Sequence, residues 1–293
     1  MRPMLLSLSL FLAPAALTAC PLSIADPAAF DKLRRQDFDV GDATRLRPLA
    51  LALMPCLSSP DPAVRDDTAL AALTAWMRGG QFDAASLRAL RERGYAQLDA
   101  DDADGFTAPF TALVLAEIAR SDRRTPWMEE AERAAMVERA SRYLTQVRDY
   151  RGYDPREGWR HGVAHGADWL MQLALNPALT RQQLDRLLAA IASQAIPATA
   201  HAYVEGEYER LARPVLFAAR RGLHDENDWQ QWLSNITTRL DETGPAWRNR
   251  DWIARRHDLL VFLSVLNAQI DLSPDPALLP LQRAVQARLR SLP

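Results

Sequence analysis

The chain has 293 residues, 48% of them hydrophobic and 25% charged, which excludes a disordered or fibrous protein and leaves room for one large domain or two small ones. Its 35 basic and 37 acidic residues leave a formal charge of -2 and alternate along the sequence, so no field of one sign is available to hold nucleic acid. Lys32 is the single lysine, and the arginines are scattered over what read as solvated helix faces rather than gathered into an anion-binding cluster.

Arg2 precedes an apolar run from Leu5 through Leu17, too short to span a bilayer and suited to an export signal. The run closes with Leu17-Thr18-Ala19-Cys20, which resembles a bacterial lipobox and makes Cys20 a lipid-anchor candidate. The alternative is cleavage near Ala15 or Ala19 followed by pairing of Cys20 with Cys56 in an oxidising periplasm, two being the smallest even cysteine count. Either route puts the mature protein outside the cytoplasm, touching a membrane only through an anchor at Cys20. The division expected is residues 1–19 as signal, 20–25 as a short tether and 26–293 as one domain.

Beyond Cys20 the apolar residues recur at helical spacing, with no period-two run to suggest a sheet. Asp26-Pro27 and Asp61-Pro62 read as an N-cap followed by proline at the first helical position. Asp83 and Asp225 read as further caps, and Thr180 with Gln183 as a capping box. Breaks fall at Gly79-Gly80, Asp99 through Gly105, Ser121 through Pro126, Gly152 through Gly158, Asn176-Pro177, Gly222, Gly244-Pro245 and Ser273 through Pro276. Roughly ten to twelve helices with short connections predict an all-α fold of antiparallel hairpins, stacked as an irregular α-solenoid or closed as an α/α array. Asp61-Pro62-Ala63-Val64-Arg65, opening a helix through Leu70, Leu73 and Trp76, resembles a HEAT repeat but does not recur at a fixed period.

The middle of the chain departs from plain hairpin grammar. A helix from Trp159 onward would put His161, His165, Asp168 and Gln172 on one polar stripe, flanked by Gly162 and Gly166. Each glycine costs a helix about 1 kcal/mol relative to alanine, which makes sense where a backbone or ligand approaches closely. Asp168 lies roughly 7 Å along the axis from an ion shared by the two histidines, so it is expected to orient His165 rather than bind a metal. Gly162 stands where an HExxH zinc motif has its glutamate. A second stripe, Tyr203, Glu207 and Arg210, is expected to face the first across a groove. There Glu207 would serve as base or third ligand of a divalent metal with His161 and His165, Tyr203 as proton donor and Arg210 as anion clamp. The alternative is a structural Glu207–Arg210 ion pair.

Cys56 follows Met54-Pro55 and reads as a buried thiol or a disulfide half, while His201, His224 and His257 read as surface residues. Trp229, Trp232, Trp247 and Trp252 read as core packing ahead of sugar stacking.

Asp149, Arg151-Gly152-Tyr153, Gly158-Trp159, His161, His165 and Asp168, together with Tyr203, Glu207 and Glu209-Arg210-Leu211, resemble the bacterial family called domain of unknown function 2785. The likeness extends less distinctly from Asp61 across most of the mature chain. One departure is Ala108-Pro109-Phe110, where the family tends to show an arginine and a serine before the phenylalanine. The resemblance implies a helical domain without an assigned reaction. The function expected is a periplasm-facing module that binds a peptide, glycan or protein of the envelope, with Asp149, Arg151 and Trp159 among its binding residues. The alternative is a metal-dependent or acid/base hydrolase using His161, His165 and Glu207.

Overall fold

Side-chain oxygens set most of the helix starts. The computed structural model describes residues 20, 27–241, 246–273 and 275–292; the expected signal segment, most of the tether, the Asp26 cap and the Gly244-Pro245 break lie outside the described residues. After α1 (Pro27–Arg35), Asp42 caps α2 (Ala43–Leu53), accepting from the Thr44 N–H at 2.9 Å. Asp61 accepts from Ala63 at 2.9 Å to open α3 (Pro62–Val64), which passes through a π-helical turn at Arg65–Leu70 into α4 (Ala71–Arg78). Asp83 caps α5 (Ala84–Leu98), and the Asp102 carboxylate gathers the N–H groups of residues 105–108 at the head of α6 (Thr107–Arg124).

Glu129 and Glu132 close a capping box on α7 (Glu130–Gln146). A hairpin of β1 (Tyr153–Asp154) and β2 (Gly158–Trp159) follows, then α8 (Gly162–Ala174). Thr180 and Gln183 form the expected capping box on α9 (Arg181–Ala195). The chain continues through α10 (Glu207–Arg220), α11 (Glu226–Asp241), α12 (Arg250–Asp271) and α13 (Leu279–Ser291).

Helices two apart in sequence lie side by side. α4, α6, α8, α10 and α12 make one row, while α7, α9, α11 and α13 make a second against it. The expected all-α array is observed, and its buried apolar residues run from Leu46 to Val285 as one continuous core. Trp76, Trp169 and Trp229 are completely enclosed, Trp252 is buried, and Trp247 stands in solvent.

Tertiary contacts override several local expectations. No helix starts at Trp159, because Gly152 and Gly158 flank a turn in which Asp154 accepts from the N–H groups of Arg156 and Glu157 at 2.7 and 3.0 Å. The ladder pairs Tyr153 with Trp159 and is extended by bonds from Arg160 and His161 to the carbonyls of Gly152 and Arg151, so extended pairing wins over helix until residue 161. Pro214 lies inside α10, which runs through it at the cost of one backbone bond. Cys20 is disulfide-bonded to Cys56, the pairing set out above beside the lipid anchor. His224 is buried rather than on the surface, its Nε2 lying 2.7 Å from Asp185 Oδ1.

Candidate functional site

His161 is the residue on which the site turns. It caps α8 in the left-handed region at φ 55°, ψ 41°, where an L side chain pays a steric cost of about 1 kcal/mol or more. That conformation lays its ring beneath Trp159, with centroids 4.7 Å apart and planes within 24°. Nε2 is buried, makes no hydrogen bond among the described residues and lies 3.7 Å from Glu207 Oε1.

Glu207 arrives from the opposite element. Gly206, at φ 86°, turns the chain into α10, and Glu207 folds back so that Oε2 accepts from the Glu205 N–H at 3.0 Å. Its other oxygen is thereby left toward His161. Glu205 reaches the other way: its carboxylate accepts from the Tyr153 N–H at 2.8 Å and fills the space where a Cβ on Gly152 would stand. The two motif segments are therefore joined at both ends of this loop.

His165 sits one turn further into α8, edge-on to Phe110 at 5.2 Å, with its centroid 5.8 Å from that of His161. The Pro109 carbonyl is its hydrogen-bonding neighbour, and Nδ1 has no partner among the described residues. Asp168 does not orient His165; it forms a short ion pair with Arg210 from α10. The expected Glu207–Arg210 pair is likewise replaced by two cross-helix contacts, His161–Glu207 and Asp168–Arg210. Gln172 accepts from Arg123 Nη2 at 3.1 Å.

Burial sets the protonation states. It pulls His161 down to about 4, with the Arg210 guanidinium helping, and drives His165 well below the ordinary imidazole range, with His161 and Arg210 adding to the effect. It pushes the Glu207 and Asp168 carboxyls up, Arg210 opposing the shift at Asp168. A neutral His161 whose Nε2 carries no proton sets its lone pair toward the Glu207 carboxylate, so a shared proton or a donor group fits between them.

The remaining candidates fall elsewhere. Tyr203 precedes α10, is 1% exposed, and donates its hydroxyl to Gln194 Oε1 at 3.1 Å, which removes it as a proton donor to the pair. Asp149 and Arg151 are ion-paired at the surface, and Trp159 is 40% exposed beside Tyr153, their rings 5.1 Å apart. His161 and Glu207 are close enough to share an ion, but no group of three His, Cys, Asp or Glu donors gathers among the described residues, so the expected three-ligand set with His165 is not formed.

Two structural supports escaped the sequence reading. Arg65 is fully buried in the π-helical turn, stacked 4.2 and 4.5 Å from the Phe106 and Phe110 rings and donating to the carbonyls of Ser59 and Glu157 at 2.9 and 2.8 Å. Asp258 is also fully buried, pushed up to about 6 by desolvation, and accepts from the Tyr208 hydroxyl at 2.7 Å and the Tyr203 N–H at 3.1 Å. Its signal was an acidic residue at the i, i+4, i+8 positions of Phe262 and Leu266 on an apolar face.

Two openings flank the buried pair. A groove of about 710 Å³ crosses α4, α6, α8 and α10, with Asp168 and Arg210 in its wall, and a cavity of about 240 Å³ is bordered by Asp149, Arg160 and Gly162.

Fold and site together define an all-helical protein in which a buried imidazole–carboxylate pair and a neighbouring ion pair bind α8 to α10. The chain belongs to the family described as "Protein of unknown function (DUF2785)", whose model matches residues 95–267, more than half of its length. No curated protein and no solved structure matches the chain.

Proposed function

We propose that this is an exported envelope protein that binds a partner's peptide segment in the groove across α4, α6, α8 and α10. The groove carries the reading. Leu70, Leu113 and Met171 give it apolar surface, while Arg78–Glu117 and Asp168–Arg210 are ion pairs in its walls. Arg213 also lines it, exposed and without a hydrogen bond or ion pair among the described residues, which favours a peptide bearing a carboxylate. Export is supported by the apolar run after Arg2 and by the Cys20–Cys56 disulfide, a bond that persists in oxidising compartments.

Calorimetric titration with short acidic, basic and neutral peptides, and with N-acetylhexosamine oligomers, tests the reading. Acidic peptides are expected to bind, and Arg213→Glu to abolish that preference. Binding of the sugar oligomers alone, or no saturable binding by any probe, overturns it.

A second reading, acid/base hydrolysis by His161 and Glu207, is favoured by the unpartnered Nε2 at 3.7 Å from Oε1. Ester and amide turnover that disappears in Glu207→Gln with folding intact supports it; identical background rates in both proteins remove it.

A further inference from the structure

A second opening lies against Gly162, next to His161 in the chain. Residues of α5, α6 and α7, with the 146–149 and 160–162 segments, enclose a cavity of about 240 Å³. Leu98, Pro109, Val147 and the Tyr143 ring give it an apolar wall. Gly162 keeps that wall close: a Cβ there would touch the Tyr143 hydroxyl at 3.4 Å and Val147 Cγ1 at 3.5 Å.

The charges around it do not cancel. Asp99 is held by Arg139 at 2.6 and 2.7 Å, and Asp149 by Arg151 at 2.5 Å. Asp102 accepts four backbone N–H bonds, and Arg160 is paired with Glu157 at 2.8 Å. Arg148 uses Nη1 alone, on the carbonyls of Thr145 and Val147. Arg142 has neither a hydrogen bond nor an ion pair among the described residues. Two guanidinium charges therefore border an apolar hole with every nearby carboxylate already engaged.

We propose that this cavity binds a small organic anion, its apolar body against Pro109, Tyr143 and Val147 and its carboxylate or phosphate at Arg142 and Arg148. Drug-sized ligands occupy pockets from about 300 Å³ upward, so the smaller volume here selects a single-ring or short-chain molecule. A guanidinium fork can donate two parallel hydrogen bonds to either head group. The site is separate from the groove of the proposed function and shares no lining residue with it.

The test uses the disulfide-bonded mature chain with benzoate, phenyl phosphate and uncharged benzamide as probes, read by amide NMR shifts at Tyr143, Val147 and Gly162. The two anions should bind saturably and benzamide about tenfold more weakly. Arg142→Ala, on an exposed side chain, should keep the far-UV circular dichroism and weaken the anions about tenfold while leaving benzamide unchanged, and Arg142→Lys should restore part of the loss. Benzamide binding as tightly as benzoate, unshifted amides with every probe, or anion affinity unchanged in both Arg142→Ala and Arg148→Ala would each overturn the proposal.

Discussion

The Glu205 carboxylate occupies the position that a side chain on Gly152 would need. Because the same carboxylate accepts the Tyr153 N–H at 2.8 Å, the hairpin of the first motif segment is fastened to the loop that begins the second. Gly152→Ala should expel that carboxylate and cost about 1–2 kcal/mol, the loss of one charge-assisted hydrogen bond. Urea denaturation of a double-mutant cycle checks the cause. In a Glu205→Ala background the same substitution should be nearly neutral, and an undiminished cost there would refute the coupling.

Arg210→Ala leaves Asp168 buried without its cation. The expected destabilisation is roughly 2 kcal/mol at neutral pH, below the full cost of a broken buried pair because Arg210 is about one-third exposed. Burial already raises the Asp168 carboxyl and Arg210 opposes that rise, so the lone acid should protonate more readily. The deficit, measured by denaturant melts at two pH values, should therefore shrink as pH falls from 7 to 5.

The two buried histidines should make the protein acid-labile. Burial holds both folded-state pKa values below the ordinary 6.5, His161 at about 4 and His165 well below the imidazole range. Between about pH 4 and 6.5 the unfolded chain binds more protons at these groups, so their contribution is fully present above 6.5 and falls as pH drops through the window. Asp258, raised from 3.8 to about 6, acts with the opposite sign between those values, because there the folded state holds the extra proton. His165→Gln should flatten the loss of stability from pH 7 to pH 5 by about 1–2 kcal/mol. An unchanged slope in that variant would remove His165 from the account.

The Cys20–Cys56 bond closes a loop with a sequence separation of 36. Chain-entropy arguments put its contribution at about 3–4 kcal/mol, so Cys56→Ser should lower the melting temperature by several degrees. Intact mass of the native protein should show the two-hydrogen loss of a disulfide. A diacylglyceryl mass at Cys20 would instead restore the lipid anchor.

The sequence by itself determined what depends on neighbours along the chain. Helical periodicity, the caps at Asp61, Asp83 and Thr180, and the glycine breaks all follow from local steric and hydrogen-bonding rules, and they were enough for an all-α array. They also isolated His161, His165, Asp168 and Glu207 as polar residues out of keeping with their surroundings. Only the tertiary structure decided how those residues pair. Periodicity assigns a residue to a face but not to a partner, so it offered His165–Asp168 and Glu207–Arg210 where packing of α8 on α10 makes His161–Glu207 and Asp168–Arg210. The helix expected from Trp159 failed for the same reason: its backbone found pairing with Arg151 and Gly152, and Glu205 held the hairpin from 52 residues away. Burial, which sets the histidine and carboxyl protonation states, is a property of the assembled rows of helices and of no single segment.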